Sequence, residues 1–122
     1  MRNKKKEIKM EVTDEVTSAM EFAKAWHLAI KGKTIEPVER IYFLDVKTMI
    51  HTLSNRRLEL LNTLRQIGPT SIRAIAKQLK RDYKNVYSDV KMLKQIGLIE
   101  TDREDYIWVP WDRIAAEIPL AA

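Results

Sequence analysis

The residues between Asn55 and Gly97 hold a concentration of positive charge that suits a polyanionic partner. Ten of them are Lys or Arg and three are acidic, while the whole chain of 122 residues has a net charge of +5. From Leu98 onward the balance reverses, with six acidic residues against two basic ones. Because clustered Lys and Arg side chains attract phosphates, this distribution predicts a nucleic-acid contact within the basic region.

The segment from Asp82 to Ile96 places the basic groups on one face of a helix. At about 100° per residue, Val86, Val90 and Leu93 form an apolar stripe that is typical of a core-facing surface. The opposite arc contains basic, hydroxyl and amide side chains and no acid. Such donors reach phosphates and base edges in a DNA major groove, whereas a helix that is only solvated usually mixes both charge signs.

A second basic stripe precedes this helix, because Arg73, Lys77 and Lys80 follow the i, i+4, i+7 spacing of one helical face. The order helix, tight turn, basic helix, hairpin is that of a winged helix-turn-helix domain. A solvated helical hairpin is the alternative, and it explains the amphipathic pattern alone. The tip of the following hairpin reads TDRED, which favours a hairpin that completes the core over one that contacts phosphates.

A resemblance to a known family rests on the stretches RDYKNVYSDVKMLKQIGLIE and YIWVPWDRI. They resemble a prokaryotic family of small winged helix-turn-helix DNA-binding proteins, distantly MarR- and ArsR-like, which includes the TumA-type antitoxins of TumE–TumA toxin–antitoxin pairs. The resemblance extends from about Ser54 to Ala122 and implies a dimeric cytoplasmic repressor. It also adds Tyr83 and Asn85 to the candidate contacts. The candidate DNA-binding residues are Ser71, Arg73, Lys77, Arg81, Tyr83, Lys84, Asn85, Tyr87, Ser88 and Lys91.

The elements that must position these residues are also indicated by the sequence. Ile8, Met10 and Val12 alternate with polar residues, which predicts a half-buried strand. Apolar residues at helical spacing then predict a helix that ends at Lys31–Gly32, and the run ERIYFLD predicts a second strand.

Four further helices are expected behind polar caps. The caps are Asp45, Ser54, either Thr70 or Ser71, and Asp82, and glycines 68 and 97 end two of the helices. The inward-facing residues are expected to include Leu58, Leu61, Leu64 and Ile67 in one helix and Ile72, Ile75, Ala76 and Leu79 in the next. A hairpin should turn at Arg103–Glu104, and Trp111 to Glu117 is expected to form a last short turn of helix.

Residues for other chemistry are few. There is no cysteine, and neither His27 nor His51 has the neighbours of a metal site or a catalytic pair. The sequence therefore predicts no enzyme, no cofactor and no bound metal. The basic start MRNKKKEIKM is interrupted by EVTDEVT rather than followed by an apolar stretch, so neither a signal peptide nor a membrane contact is expected.

These observations lead to an α+β fold with two parts. Residues 1–45 are expected to form a strand–helix–strand extension that dimerises or binds a partner, and residues 46–122 a winged helix-turn-helix domain. The predicted function is a cytoplasmic regulator that binds double-stranded DNA as a homodimer, represses its own promoter, and acts as the antitoxin of a toxin protein. One alternative is a protein-interaction module whose main role is to neutralise that toxin, and another is the binding of structured RNA.

Overall fold

The structure, a computed structural model, describes residues 5–13 and 39–120 together with Met20, Ala23, Lys24, Trp26 and His27. Within these residues the fold is α+β, with four helices and five strands. The helices are α1 (Val46–Thr52), α2 (Asn55–Ile67), α3 (Ile72–Leu79) and α4 (Tyr83–Ile96). The strands are β1 (Lys5–Val12), β2 (Glu39–Phe43), β3 (Glu100–Thr101), β4 (Ile107–Trp108) and β5 (Trp111–Glu117).

The chain forms two compact units, one centred on residues 52–113 and one made by residues 7–51 with 114–122. The second unit is built on a three-stranded sheet in the order β2–β1–β5. β1 and β2 are parallel, with Ile8 opposite Glu39 and Val12 opposite Phe43. Parallel neighbours need a crossover connection, and within it Met20, Ala23, Lys24, Trp26 and His27 are helical. Most of the helix predicted before Gly32 lies outside the described residues.

The sheet buries Ile8 and Met10, as the alternating pattern predicts. Glu11 was placed on the polar face, yet its side chain is nearly buried and lies 2.8 Å from the guanidinium of Arg40. A buried carboxylate needs such a partner because desolvation destabilises its charge. On the other edge of β1, the ammonium of Lys9 lies 3.0 Å from Glu117. The hydrogen bond from Lys9, followed by its charge, lowers the pKa of Glu117.

The prediction of a helical turn over Trp111–Glu117 is wrong, because these residues form strand β5. Ala115, Ala116 and Glu117 favour helix locally. The free backbone groups along the edge of β1 offer a ladder of hydrogen bonds instead, and pairing with an open strand edge overrides a local preference of this size. Trp111 begins the strand buried, with its indole N–H donating to the carbonyl of Gly97 at 2.9 Å.

Most of the predicted helix caps are confirmed. The Asp45 carboxylate accepts the Thr48 N–H at 2.7 Å, and hydrogen bonding to the backbone and side chain of Thr48 lowers the pKa of Asp45. Ser54 accepts from the Arg57 N–H at 3.4 Å. Ser71, rather than Thr70, caps α3 through the Ala74 N–H at 3.1 Å, since Thr70 pairs its backbone with Ile107.

Asp82 occupies the N-cap position of α4, but its side chain makes no cap hydrogen bond, which corrects the prediction made for it. Its backbone carbonyl accepts the Val86 N–H at 3.1 Å and so begins the helix. Gly68 and Gly97 end α2 and α4 with φ of 85° and 97°. This region of φ costs little for a residue that lacks Cβ.

The unit centred on residues 52–113 has its core where α3 and α4 pack together. Val86, Val90 and Leu93 are at most 2% exposed, which confirms the stripe predicted for α4. On α2 the buried residues are Leu60, Leu61 and Leu64, whereas Leu58 and Ile67 are exposed, contrary to the prediction. Leucines occupy several sides of this helix, so the periodicity alone did not identify the side that packs against the core. On α3, Ile75 and Ala76 are buried and Ile72 and Leu79 are half-buried.

Candidate nucleic-acid interface

A three-residue turn connects α3 to α4 and fixes where the basic helix begins. Lys80 adopts the left-handed conformation, with φ 55° and ψ 43°. Its N–H donates to the carbonyl of Lys77 at 3.1 Å, and the Arg81 N–H donates to that of Ala76 at 3.0 Å. These bonds satisfy carbonyls that the end of a helix leaves without partners. The chain therefore reverses over residues 80–82 and starts α4 at Tyr83.

The exposed side chains of α4 are all basic, hydroxylic or amide. They are Tyr83, Lys84, Asn85, Tyr87, Ser88, Lys91, Lys94 and Gln95. The helix contains one acid, Asp89, whose side chain is 13% exposed. We call these eight residues the donor face, because every one of them can donate a hydrogen bond from its side chain.

Asp89 is held between two arginines. One of its carboxylate oxygens accepts from Arg57 Nε at 3.1 Å, and the other from Arg81 Nη2 at 2.7 Å. Arg57 also donates to the carbonyl of Thr52 at 3.1 Å. The two guanidinium side chains are only 19% and 16% exposed. This Arg57–Asp89–Arg81 cluster ties α4 to α2 and to the turn, and it removes the one negative charge of the helix from solvent.

The position of Arg81 differs from the one expected of a phosphate contact. Its guanidinium points to Asp89, and Arg81 Nη1 is buried without a hydrogen-bond partner among the described residues. The sequence gave Arg81 as a candidate DNA contact, directly before the basic helix. The turn at Lys80 redirects the chain before α4 begins, so Arg81 does not share the exposed face of that helix.

Arg73 and two tyrosines form a stacked group beside the donor face. The Arg73 guanidinium lies 5.3 Å from the centroid of the Tyr83 ring, which is a cation–π contact. The Tyr83 and Tyr87 rings lie 6.1 Å apart with their planes tilted by 33°. Both rings are nearly half exposed. The stack therefore orders the long Arg73 side chain without burying its charge.

The stacked group borders a half-open groove of about 480 Å³ between α3, α4 and the β3–β4 hairpin. Val90 and Ile107, each 2% exposed, contribute its apolar part together with Ile72. The polar residues that line it are Ser71, Arg73, Tyr83, Tyr87, Lys91, Lys94, Thr101 and Asp105. Three cations and two aromatic rings thus meet around a small apolar surface, with Asp105 as the single acid.

The hairpin tip is organised by one of its acids. The Asp102 carboxylate accepts the N–H groups of Glu104 at 2.9 Å and Tyr106 at 3.1 Å. Asp105 has a φ of 63°, a conformation that Asp tolerates better than most residues. The acidic tip therefore has a local role in the turn, and the predicted reversal at Arg103–Glu104 is confirmed.

The structure places the predicted site residues differently. Lys84, Asn85, Ser88 and Lys91 lie exposed on the donor face, and Arg73, Tyr83, Tyr87, Lys91 and Ser71 line the groove. Lys77 is exposed on α3, and Arg81 is bound to Asp89. The sequence reading missed the groove residues Lys94, Thr101 and Asp105. The spacing of Tyr83, Tyr87, Lys91 and Lys94 at intervals of four, four and three residues was the available signal for Lys94.

These features define the class of the molecule as a small α+β protein with a basic helix–turn–helix unit followed by a β-hairpin. The chain belongs to the HVO_A0114 family, whose model matches residues 52–116. No curated protein and no solved structure matches it. In the described part of the chain, no helix is long and apolar enough to cross a membrane. The same residues contain no group of three or more side chains suited to hold a metal ion.

The Arg57–Asp89–Arg81 cluster predicts that the substitution Asp89→Asn strongly destabilises the folded protein. Two half-buried guanidinium groups would lose their counter-charge, so the free energy of unfolding should fall by about 2 kcal/mol. Urea unfolding followed by circular dichroism measures this change.

The matched control is Asp112→Asn, which removes the carboxylate that pairs with Arg65 at a more exposed position. Its cost should stay below about 1 kcal/mol, because solvent screens such pairs. Equal losses for the two variants would contradict a special role for Asp89.

Proposed function

We propose that the protein is a transcriptional regulator that binds double-stranded DNA through a winged helix-turn-helix domain. The observation that carries the proposal is the donor face of α4, eight exposed side chains without an acid among them. A surface that needed only solubility would gain from charges of both signs. A surface that meets phosphates and base edges needs donors, and carboxylates would repel the phosphates.

In this proposal α4 enters the major groove, with Lys84, Asn85, Ser88 and Lys91 nearest the bases. Amide side chains such as Asn85 suit adenine, and lysines suit guanine or the backbone. Arg73 and Lys77 on α3 hold phosphates of the DNA backbone. Ser71, Tyr83 and Tyr87 contact the same DNA strand. Arg81 is not among the proposed DNA contacts. Its role is to orient α4 through its hydrogen bond to Asp89.

A single helix reads only a few base pairs, so useful specificity calls for two half-sites about 34 Å apart and hence for a homodimer. The unit made by residues 7–51 and 114–122 offers apolar surface for this purpose. Met20 and Trp26 are 68% and 62% exposed, and Leu44 and Ile50 are 69% and 62% exposed. Large apolar side chains exposed on one unit are candidates for an interaction surface. We assign this surface to the two-fold contact of a cytoplasmic autorepressor.

The same exposed apolar side chains support a second candidate function, in which this unit neutralises a partner toxin and DNA binding is secondary. The two functions are compatible in one antitoxin. They differ in what the apolar surface binds, because a homodimer forms from the purified protein alone and a toxin complex does not.

The DNA proposal predicts a steep dependence of affinity on salt. If lysines of the donor face neutralise phosphates, the logarithm of the association constant should fall with the logarithm of salt concentration with a slope of several units. Lys84→Ala should reduce that slope by about one unit and weaken binding to all sequences alike.

Fluorescence anisotropy with a labelled duplex measures both quantities, and Lys47→Ala on α1 is the matched control. An affinity that does not change between low and physiological salt would contradict DNA binding.

Asn85 should contribute specificity rather than general affinity. Asn85→Ala is expected to cost about 1–3 kcal/mol at one base position of the operator and to relax the preference there, because a bidentate contact to adenine is lost. Selection of bound sequences from a random duplex pool, for the wild type and the variant, measures the preference. A uniform loss across all positions would instead assign Asn85 to the backbone.

The dimer surface can be tested by point substitution. Deleting the N-terminal segment would remove β1, the central strand of its sheet, so Leu44→Glu and Trp26→Glu are the better variants. Each should convert the dimer to a monomer, because a charge replaces an exposed apolar contact, and each should weaken binding to a palindromic duplex more than to a half-site.

Sedimentation velocity measures the oligomeric state, and Ile67→Glu, at an exposed position of the other unit, is the control. A wild-type protein that is monomeric at micromolar concentration would rule out the homodimer.

A further inference from the structure

The groove between α3, α4 and the hairpin has a chemistry that DNA backbone contacts alone do not require. A phosphate contact needs cations at an open surface, whereas here the apolar side chains of Val90, Ile107 and Ile72 line the groove together with two tyrosine rings. The volume of about 480 Å³ is within the range of small-molecule sites. Tyrosine rings beside apolar side chains suit a planar aromatic group, which stacks against the rings.

Three cations surround the same space, so the occupant must also be an anion. Arg73 is already ordered by its contact with Tyr83 at 5.3 Å, and Lys91 and Lys94 extend from one turn of α4. Arginine and lysine at one rim form charge-assisted hydrogen bonds to phosphate oxygens. On the hairpin, the Thr101 hydroxyl and the Asp105 carboxylate supply acceptors for the N–H or O–H groups of a base or a sugar.

We propose that this groove binds a free mononucleotide, with the base stacked on Tyr83 and Tyr87 and the phosphate held by Arg73, Lys91 and Lys94. The combination of ring, polar edge and phosphate in one small molecule matches the three kinds of residue that meet there. A ligand with only one of these parts would leave either the rings or the cations unused.

Occupancy of the groove has a consequence that rests on the proposed DNA function. Arg73, Tyr83, Tyr87 and Lys91 line the groove and also belong to the proposed DNA contacts. A bound mononucleotide places its negative charge beside α4 and occupies these side chains. Nucleotide and duplex therefore exclude each other, and the nucleotide acts as the signal that releases DNA.

Calorimetric titration of the full-length protein, without DNA, with AMP, GMP, CMP and UMP tests the site directly. At least one monophosphate should bind more tightly than both inorganic phosphate and its own nucleoside. Tyr87→Ala and Lys94→Ala should each weaken that binding by about tenfold, and Tyr87→Phe should retain it. Lys84→Ala, on the part of the donor face outside the groove, should leave it unchanged. All three positions are exposed, so folding should be preserved.

Any one of three results in the titration would overturn the proposal, and a fourth result would come from an oligonucleotide. The three titration results are no binding of any monophosphate at millimolar concentration, equal binding of inorganic phosphate, and binding that Lys94→Ala does not change. Binding of a single-stranded oligonucleotide to the same residues without binding of a monophosphate would also overturn it, since the ligand would then be DNA. Displacement of a labelled duplex by the bound monophosphate would support the release signal, and binding without displacement would overturn that part alone. Because the titration contains no DNA, failure of the DNA function leaves its result intact.

Discussion

The contact of Asp89 with Arg57 and Arg81 fixes the placement of α4, and the other features of the basic surface depend on it. Each carboxylate oxygen accepts from a different arginine, one on α2 and one in the turn that precedes α4. A half-buried charge of this kind is stable only with its partners in position. The contact therefore permits one rotation of α4 about its axis, the rotation that buries Val86, Val90 and Leu93.

The same contact decides the electrostatic character of the exposed surface. Asp89 is the only acid among residues 83–96, and its pairing leaves the donor face without a competing negative charge. Arg57 and Arg81 both pair with this carboxylate, which explains why a region so rich in basic residues contains two arginines that are turned inward. Positive potential is thus produced by neutralising one acid as well as by adding lysines.

One helix carries two kinds of surface in this structure. The side that holds Lys84, Asn85 and Ser88 is open and suits an extended partner such as a duplex. The side toward the hairpin, with Tyr83, Tyr87 and Lys94, is concave because β4 pairs its Ile107 with Thr70 and brings the hairpin beside α3. Lys91 lies between the two. Residues shared between a groove and an open face allow a small ligand and a large one to compete without a change of fold.

The sequence by itself determined the features that depend on local spacing. The apolar stripe of α4, the caps at Asp45, Ser54 and Ser71, the two glycine ends and the position of the hairpin turn all follow from periodicity and cap chemistry, and the structure has them where they were expected. The basic and amide residues of α4 were also visible, because they lie on one helix.

Only the tertiary structure decided the features that depend on partners far apart in the chain. The Trp111–Glu117 segment becomes a strand because the edge of β1, about a hundred residues earlier, offers backbone hydrogen bonds that no local pattern reveals. Arg81 turns to Asp89 because a left-handed residue at position 80 redirects the chain before the helix begins. The groove exists because three elements meet, and residues such as Thr101 and Asp105 have no signal in their own neighbourhood. Local preferences amount to fractions of a kcal/mol per residue, and long-range pairing and burial outweigh them.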